Sequence, residues 1–371
     1  MIKKILFISA LVLTAGLSAQ KSKILTPDEK LELIKSHDTA FQALNARVRD
    51  PFVHLGPDGY YYLTGTTAGS HWGDTIGIYL WKSKDLANWE EMGFVWNLHI
   101  DGKKNKSWHF EQPIKRPEFK NPLAVWAPEI HYMNGTWWIP HCLNVGGHGL
   151  LKSTTGKPEG PYEVVDPVQL KRIDAHLFKD TDETVYYCYQ ADMIAKMAPD
   201  MLSIVEEPRK LQHDGNHPMG YEGVFILKFD DKYLFIASGR YGYEPTNTYD
   251  LYYGVSKDVY GPYGKRRMAI KNAGHGNLFQ DKDGKWWSTA FDHVYFDKGM
   301  DKWSLWLVPI DIEVTDDDIL FHVKDSRFAP TQEDHDVVKQ LSIDGVPAEW
   351  EGKSPWWYPG KDEKDKKKKK K

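Results

Sequence analysis

A turn followed by an aromatic strand recurs five times along the chain, and this repeat restricts the fold more than any other feature. Three copies open on Asp-Gly or Asn-Gly and two on acidic pairs; they occupy residues 58–62, 134–138, 182–186, 230–234 and 283–287. Asp-Gly or Asn-Gly between strand-forming runs is the strongest short signal for a β-hairpin. Successive copies lie 76, 48, 48 and 53 residues apart, which suits four-stranded propeller blades with loop insertions. The sequence therefore predicts an all-β, five-bladed β-propeller.

The segment before the first copy has a different pattern. Thr26 followed by Pro27 is typical of a helix start, with Thr as the cap and Pro just inside. Apolar residues then recur at helical spacing: Leu31, Leu33, Ile34, Phe41 and Leu44. We therefore expect residues 21–46 to form a short N-terminal helical segment packed on the propeller.

No linker-rich break interrupts residues 47–330, so we interpret them as one propeller domain. Residues 331–371 are expected to be a C-terminal extension that ends in a disordered, lysine-rich tail.

The N-terminus has the pattern of an export signal. Lys3 and Lys4 precede an apolar run over residues 5–17, and small residues follow at Ser18 and Ala19. That order is typical of a secretory signal peptide, predicted here over residues 1–20. The apolar run is shorter than the ~20 residues that span a bilayer. We therefore expect a periplasmic or secreted protein without a membrane span.

Charge and cysteine content exclude some functions. The formal net charge is −4, although the tail and the predicted signal peptide are both basic, so the rest of the chain is strongly acidic. Such a surface argues against nucleic acid as a partner. Cys142 and Cys188 lie in apolar, strand-like segments, and we interpret them as buried thiols, with a disulfide as the alternative.

A polar residue lies eight positions before most of the hairpin turns. The five residues at this offset are Asp50, Trp126, Asp174, Glu222 and His275. The innermost strand of each propeller blade starts beside the central axis, so equivalent positions in five blades converge on one cavity. Buried acids cost several kcal/mol unless they are paired or functional. Three carboxylates at one axis therefore predict a functional site.

These strings resemble glycoside hydrolase family 43 and its five-bladed propeller relatives. The resemblance rests on Arg49-Asp50-Pro51, Trp126-Ala127-Pro128-Glu129-Ile130, Ile173-Asp174 with Phe178, Glu222-Gly223 and Gly274-His275-Gly276. It extends from about Arg47 to Phe328. Ala175 and Val224 depart from the family pattern, which often has Pro at both places; these departures bear on the substrate class and leave the three carboxylates intact.

The resemblance implies hydrolysis with inversion of the anomeric carbon. Asp50 would then be the general base that activates a water, and Glu222 the general acid that protonates the leaving oxygen. Asp174 would orient Glu222 and raise its pKa by repulsion between like charges. His275 resembles the family residue that faces a central calcium ion or water cluster. Because calcium prefers oxygen ligands, such an ion would be held at the axis mostly through waters.

Further substrate-binding candidates come from aromatic and basic residues near the repeats. His71, Trp72 and Trp126 could stack on a sugar ring, Arg240 could contact hydroxyl groups, and His275 lies among the axial residues. Trp356 and Trp357 could form the rim of the pocket or anchor the tail. Surface and core packing remain alternative explanations for these residues.

The expected partner is an oligosaccharide or polysaccharide. The function favoured is the release of pentose-type sugars by a β-xylosidase or α-L-arabinofuranosidase. A related propeller hydrolase that acts as an endo-arabinanase, or on galactan or an algal glycan, is the first alternative, and a non-catalytic sugar-binding propeller is the second. The carboxylates argue against the second. The insertion at residues 96–121 could close one end of a groove, which favours exo action.

Overall fold

The computed structural model describes residues 24–67, 75–104, 123–144, 147–165, 172–239, 248–291 and 304–345. Within these residues the chain forms five antiparallel sheets that follow one another in sequence, as blades of a propeller. The predicted fold class, an all-β, five-bladed β-propeller with a short N-terminal helix, is confirmed.

Each of the first four blades is built from consecutive strands. Blade 1 consists of β2 (Arg49–Leu55), β3 (Tyr61–Thr66), β4 (Gly77–Ser83) and β5 (Trp89–Asn97). Blade 2 consists of β6 (Val125–Trp126), β7 (His131–Met133), β8 (Thr136–Leu143), β9 (His148–Ser153) and β10 (Tyr162–Val164). Blade 3 consists of β11 (Ala175–Lys179), β12 (Val185–Tyr189), β13 (Met193–Lys196) and β14 (Arg209–Lys210). Blade 4 consists of β15 (Glu222–Phe229), β16 (Lys232–Gly239), β17 (Asp250–Ser256) and β18 (Arg267–Ile270).

The fifth blade combines both ends of the propeller. It contains β19 (Leu278–Gln280), β20 (Trp286–Ala290), β21 (Leu305–Val314), β22 (Ile319–Val323) and the N-terminal strand β1 (Phe41–Leu44). Strand β1 pairs with the start of β21, where Phe41 lies opposite Leu307. Phe41 and Leu44, which the sequence analysis grouped with the helix, therefore belong to a strand that closes the ring.

The helix predicted before β1 is shorter than the segment assigned to it. Helix α1 spans Pro27–Ser36, and Thr26 caps it: its side chain accepts from the N–H of Glu29, whose carboxylate accepts in return from the N–H of Thr26. His37 ends the helix in a left-handed conformation, and its Nε2 lies 2.8 Å from the carbonyl oxygen of Trp286 in blade 5.

A second helix was not predicted. Helix α2 spans Gln332–Asp344 in the segment assigned as an extension, and Thr331 caps it together with Asp334. Val338 of α2 is buried in the same apolar cluster as Tyr263 and Met268 of the fourth blade region. A further short π-helical turn spans Leu98–Gly102. No helix in the described part of the chain is long and apolar enough to cross a membrane.

The apolar core lies between neighbouring sheets. One cluster joins blades 1 and 2 through Tyr62, Trp96 and Trp137, with Tyr62 and Trp137 in edge-to-face contact at 4.8 Å. Burying a large apolar side chain contributes about 1.5–3 kcal/mol, so these interfaces hold the ring together. Cys142 and Cys188 are both buried and free, which confirms that they are thiols.

Candidate active site

One residue at or near the start of the inner strand of each blade has a positive φ: 52° at Asp50, 42° at Ala127, 58° at Asp174, 64° at Gly223 and 56° at His275. A left-handed conformation at a residue other than glycine costs about 1–3 kcal/mol, and Asp and His tolerate it better than most residues. Four such residues at one set of equivalent positions indicate that the surrounding structure enforces this conformation.

The residues with positive φ do not all lie eight positions before a hairpin turn, which is the offset used in the sequence analysis. In two blades they lie one residue later. In blades 1, 3 and 5 the inner hairpin encloses five residues, as between Leu55 and Tyr61. In blades 2 and 4 the corresponding cross-strand partners enclose only four residues, as Lys228 and Tyr233 do. Counting back eight residues from the turn therefore reaches the equivalent position in three blades. In the other two it reaches Trp126 and Glu222, each one residue too early.

Gly223 is the residue of blade 4 that is equivalent to the axial Asp and His residues. A Cβ atom at this position would lie 2.8 Å from Cδ2 of His275 and 3.0 Å from Oγ of Ser238, and the φ of 64° disfavours any side chain. The carboxylate of blade 4 is instead carried by Glu222. A Glu side chain is one methylene longer than Asp, which compensates in part for attachment one residue earlier.

Asp50 is buried and held by three groups. Thr66 Oγ1 donates to Asp50 Oδ2 at 2.8 Å, and the backbone N–H of Ala127 donates to the same hydroxyl. Arg49 Nε donates to Asp50 Oδ1 at 3.2 Å, and His275 Nδ1 lies 3.2 Å from that oxygen. Burial alone would raise the pKa of Asp50, but the positive charges of His275 and Arg49 and the hydrogen bonds of His275 and Thr66 hold it well below its usual range.

His275 lies between two of the carboxylates. Its Nδ1 faces Asp50, and its Nε2 lies 4.0 Å from Asp174 Oδ2. The backbone N–H of His275 donates to Ser238 Oγ at 2.7 Å, which ties this residue to strand β16 of blade 4. Burial alone would lower the pKa of this imidazole, but Asp174 and Asp50 raise it to about 10. His275 is therefore a cation at neutral pH.

Asp174 is the most buried of the three acids, at 4% exposure. The N–H of Gly223 donates to Asp174 Oδ2 at 3.2 Å, and the N–H of Asp174 donates to Cys142 Sγ at 3.2 Å. Burial, with the charges of Glu222 and Asp50, raises the pKa of Asp174 to about 7, although His275 opposes this shift. A direct bond thus joins Asp174 to the residue that follows Glu222.

Glu222 is buried beside Tyr249, whose hydroxyl donates to Glu222 Oε1. Burial raises the pKa of Glu222, and the charge of Asp50 adds to this effect against His275, Arg49 and Tyr249. Because the pKa values of Asp174 and Glu222 are both raised, the two carboxyls retain a proton more readily than ordinary acids. One acid held ionised beside two that favour protonation is the arrangement that separates a base from an acid.

Arg49, Thr66, Ser238 and Tyr249 support the site but were not predicted. Arg49 entered the sequence analysis only as part of the string Arg49-Asp50-Pro51, without a role of its own. Its guanidinium lies 5.4 Å from the ring centroid of Phe291. Tyr249 is 27 residues from Glu222, so only the pairing of strands β16 and β17 brings them together.

A pocket beside Asp50 and His275 lies among the inner strands. It has an empty volume of about 280 Å³, part of which is open to solvent. Asp50, Ala127 and His275 line its upper part, and Phe52, Glu129 and Phe225 line the layer two residues further along the inner strands. The first layer of the pocket therefore contains charged side chains, and the second combines aromatic rings with one carboxylate.

Among the other residues predicted to bind substrate, Trp126 lies within the described residues. Trp126 is half-buried in β6, where its carbonyl accepts from Cys142 Sγ at 3.5 Å, one residue before Ala127. His71, Trp72, Arg240, Trp356 and Trp357 lie outside the described residues, as do the predicted signal peptide, the lysine-rich tail and most of the insertion at residues 96–121. The roles predicted for these residues stay predictions.

The contacts of His275 argue against direct ligation of calcium. Calcium takes six to eight oxygen ligands, whereas both ring nitrogens of His275 face carboxylates and the ring is held as a cation. The oxygens of Asp50 are already engaged by Thr66, Arg49 and His275. A hydrated calcium ion near His275 stays a prediction from the resemblance.

Comparisons with known proteins agree with this arrangement. The profile described as Glycosyl hydrolases family 43 matches residues 43–298. Two curated relatives are each 26% identical. The match covers 76% of this chain and 52% of the Beta-xylosidase of Formosa agariphila, and 65% of this chain and 45% of the Non-reducing end alpha-L-arabinofuranosidase of Bacteroides ovatus. The chain thus spans about half the length of these curated relatives.

Solved structures are similar in fold. The GH43 protein BlXynB from Bacillus licheniformis superposes with a TM-score of 0.57 at 23% identity, covering 77% of this chain and 57% of that one. An Exo-1,5-alpha-L-arabinanase from a bovine ruminal metagenomic library gives 0.56 at 20% identity, covering 76% of this chain and 99% of that one. At these identities the likeness concerns the fold alone.

Proposed function

Because the chain belongs to glycosyl hydrolases family 43, we propose that it cleaves terminal pentose-type residues from an oligosaccharide or polysaccharide, as a β-xylosidase or an α-L-arabinofuranosidase. The observation that carries this proposal is the cluster of three buried carboxylates with divergent pKa values at the propeller axis. The names of the curated relatives support pentose as the sugar class and exo action as the mode.

The proposed reaction assigns one role to each carboxylate. Asp50 stays ionised and takes a proton from the attacking water. Glu222, with its raised pKa, gives a proton to the leaving oxygen. Asp174 accepts from the N–H of Gly223 and so holds the backbone next to Glu222, while burial and the charge of Asp50 favour the protonated form of that acid.

Hydrolysis of a substrate panel tests the proposed function. Purified protein should release nitrophenol from nitrophenyl β-D-xylopyranoside or α-L-arabinofuranoside at least about 100-fold faster than from the matching hexosides, since the sugar class sets transition-state binding. Oligosaccharides should yield only monosaccharides at early times. Activity on hexosides alone would reject the pentose assignment, and longer early products would reject exo action.

The configuration of the first product tests the mechanism. If Asp50 activates water on the face opposite the leaving group, the sugar is released with inverted configuration. Asp50 is in blade 1 and Glu222 in blade 4, so one blade separates them on the shorter path around the ring. That separation favours the wider inverting arrangement, with carboxyls about 6.5–9.5 Å apart. Proton NMR before mutarotation measures the anomer; a retained anomer would make Asp50 a nucleophile.

We also propose that the protein is exported. The basic and apolar N-terminal pattern supports this, and one relative, of Cellvibrio japonicus, is described as an extracellular exo-arabinofuranosidase. N-terminal sequencing of protein recovered from the periplasm or the medium should begin near Gln20. Recovery only in the cytoplasm with Met1 intact would reject export.

A further inference from the structure

A second polar cluster lies one layer beyond the catalytic carboxylates. Glu129, His131 and His176 are largely buried, and one ligand atom from each lies within 4.8 Å of the others. Glu129 Oε2 is 2.7 Å from His176 Nδ1 and 2.9 Å from His131 Nε2. Phe52 packs against the His131 ring, and Phe225 packs against the His176 ring.

We propose that Glu129, His131 and His176 bind a divalent transition-metal ion, with zinc as the preferred occupant. Two imidazoles and one carboxylate form a ligand set that zinc uses in proteins, with a fourth position left for water. This site uses none of the residues assigned to catalysis, and its nitrogen ligands distinguish it from a calcium site at His275.

The distances suit an ion after a small adjustment. Ligand atoms around tetrahedral zinc lie about 3.4 Å apart, given bond lengths of about 2.0–2.1 Å. The two contacts of 2.7 and 2.9 Å are shorter than this by about 0.5–0.7 Å. Small rotations of three side chains would open that space, with the backbone in place.

Two imidazole nitrogens converge on one carboxylate oxygen in this buried layer, and this convergence favours an ion. Glu129 also lines the axial pocket, together with Asp50 and His275.

Such an ion would join two blades. Glu129 and His131 belong to the inner edge of blade 2, and His176 belongs to β11 of blade 3. A metal bound to both would hold these blades together directly beneath Asp174. We therefore expect it to stabilise the propeller and not to take part in bond cleavage.

Metal binding to the full chain tests the proposal. Protein stripped with a chelator, incubated with zinc chloride and passed through a desalting column should retain one zinc per chain by elemental analysis, and its Tm should rise. Cobalt(II) in place of zinc should give the visible absorption bands of a four-coordinate site. Less than 0.1 equivalent of retained zinc together with an unchanged Tm in the wild type would overturn the proposal.

Variants locate the ion. His131→Gln and His176→Gln should each weaken zinc binding by at least about 100-fold, because even partners outside the ligand set cost 10–100-fold. His54→Gln is the matched control, since this half-buried histidine lies 6.0 Å from the His131 ring but accepts from the N–H of Tyr132. Asp50→Asn should also keep the zinc. Full binding by both ligand variants would place the ion elsewhere and refute the assignment; if neither folds, the wild-type measurements decide.

Discussion

Replacing Asp50 by Asn should lower kcat by about 10²–10⁴-fold on every substrate, whatever its leaving group. An amide cannot take a proton from water, yet it has nearly the shape of the carboxylate and can still accept from Thr66 Oγ1. The loss should therefore reflect chemistry and not unfolding. The measurement is kcat on a nitrophenyl pentoside and on an unmodified oligosaccharide, together with Tm.

Asp311→Asn is a suitable control for Asp50→Asn. Asp311 is an exposed residue on β21 that pairs with Lys324. It does not belong to any of the inner strands that line the axis. It should leave kcat within a factor of about two, as expected for a surface change. If Asp50→Asn kept more than a tenth of the wild-type kcat, Asp50 would not be the base.

Replacing Glu222 by Gln should have an effect that depends on the leaving group. For a sugar leaving group, which departs poorly without a proton, kcat should fall by about 10²–10⁴-fold. For a dinitrophenyl leaving group, which departs without help, the loss should be less than about 10-fold. Glu313→Gln, at an exposed ion pair with His322, is the matched control. Equal losses on both substrates would exclude Glu222 as the acid.

The pH dependence gives a second check on Glu222. A general acid works only in its protonated form, which is populated below its pKa. Burial and the charge of Asp50 raise that pKa, so wild-type activity should persist to higher pH than an ordinary Glu would allow and then fall on the alkaline side. In Glu222→Gln with the dinitrophenyl substrate this alkaline decline should disappear. Its persistence would assign the decline to another group.

The sequence repeat predicted the five-bladed propeller because each hairpin turn is specified by a few neighbouring residues. The one-residue difference at Trp126 and Glu222 was not predictable from counting, because it depends on the shorter hairpins of blades 2 and 4. The glycine after Glu222 was a usable signal, since the structure has no room for a Cβ there.

Contacts between distant segments account for the other differences. Tyr249 meets Glu222 only after strands β15, β16 and β17 of blade 4 pair, and His275 meets Asp50 only after blades 1 and 5 assemble. Helix α2 was missed because residues 331–371 were assigned together as an extension with the lysine-rich tail, although Thr331 and Asp334 form a recognisable helix start. The spacing of Phe41 and Leu44 fitted a helix, but pairing with β21 decides their conformation.

The pairing of β1 with β21 also affects how the protein reaches its native state during synthesis. Phe41 leaves the ribosome early, whereas its partner Leu307 follows more than 260 residues later. Closing so long a loop carries an entropic cost and slows folding. The nascent chain must therefore keep strand β1 unpaired while four blades are made, and any product truncated before β21 would expose an open blade edge of the kind that promotes aggregation.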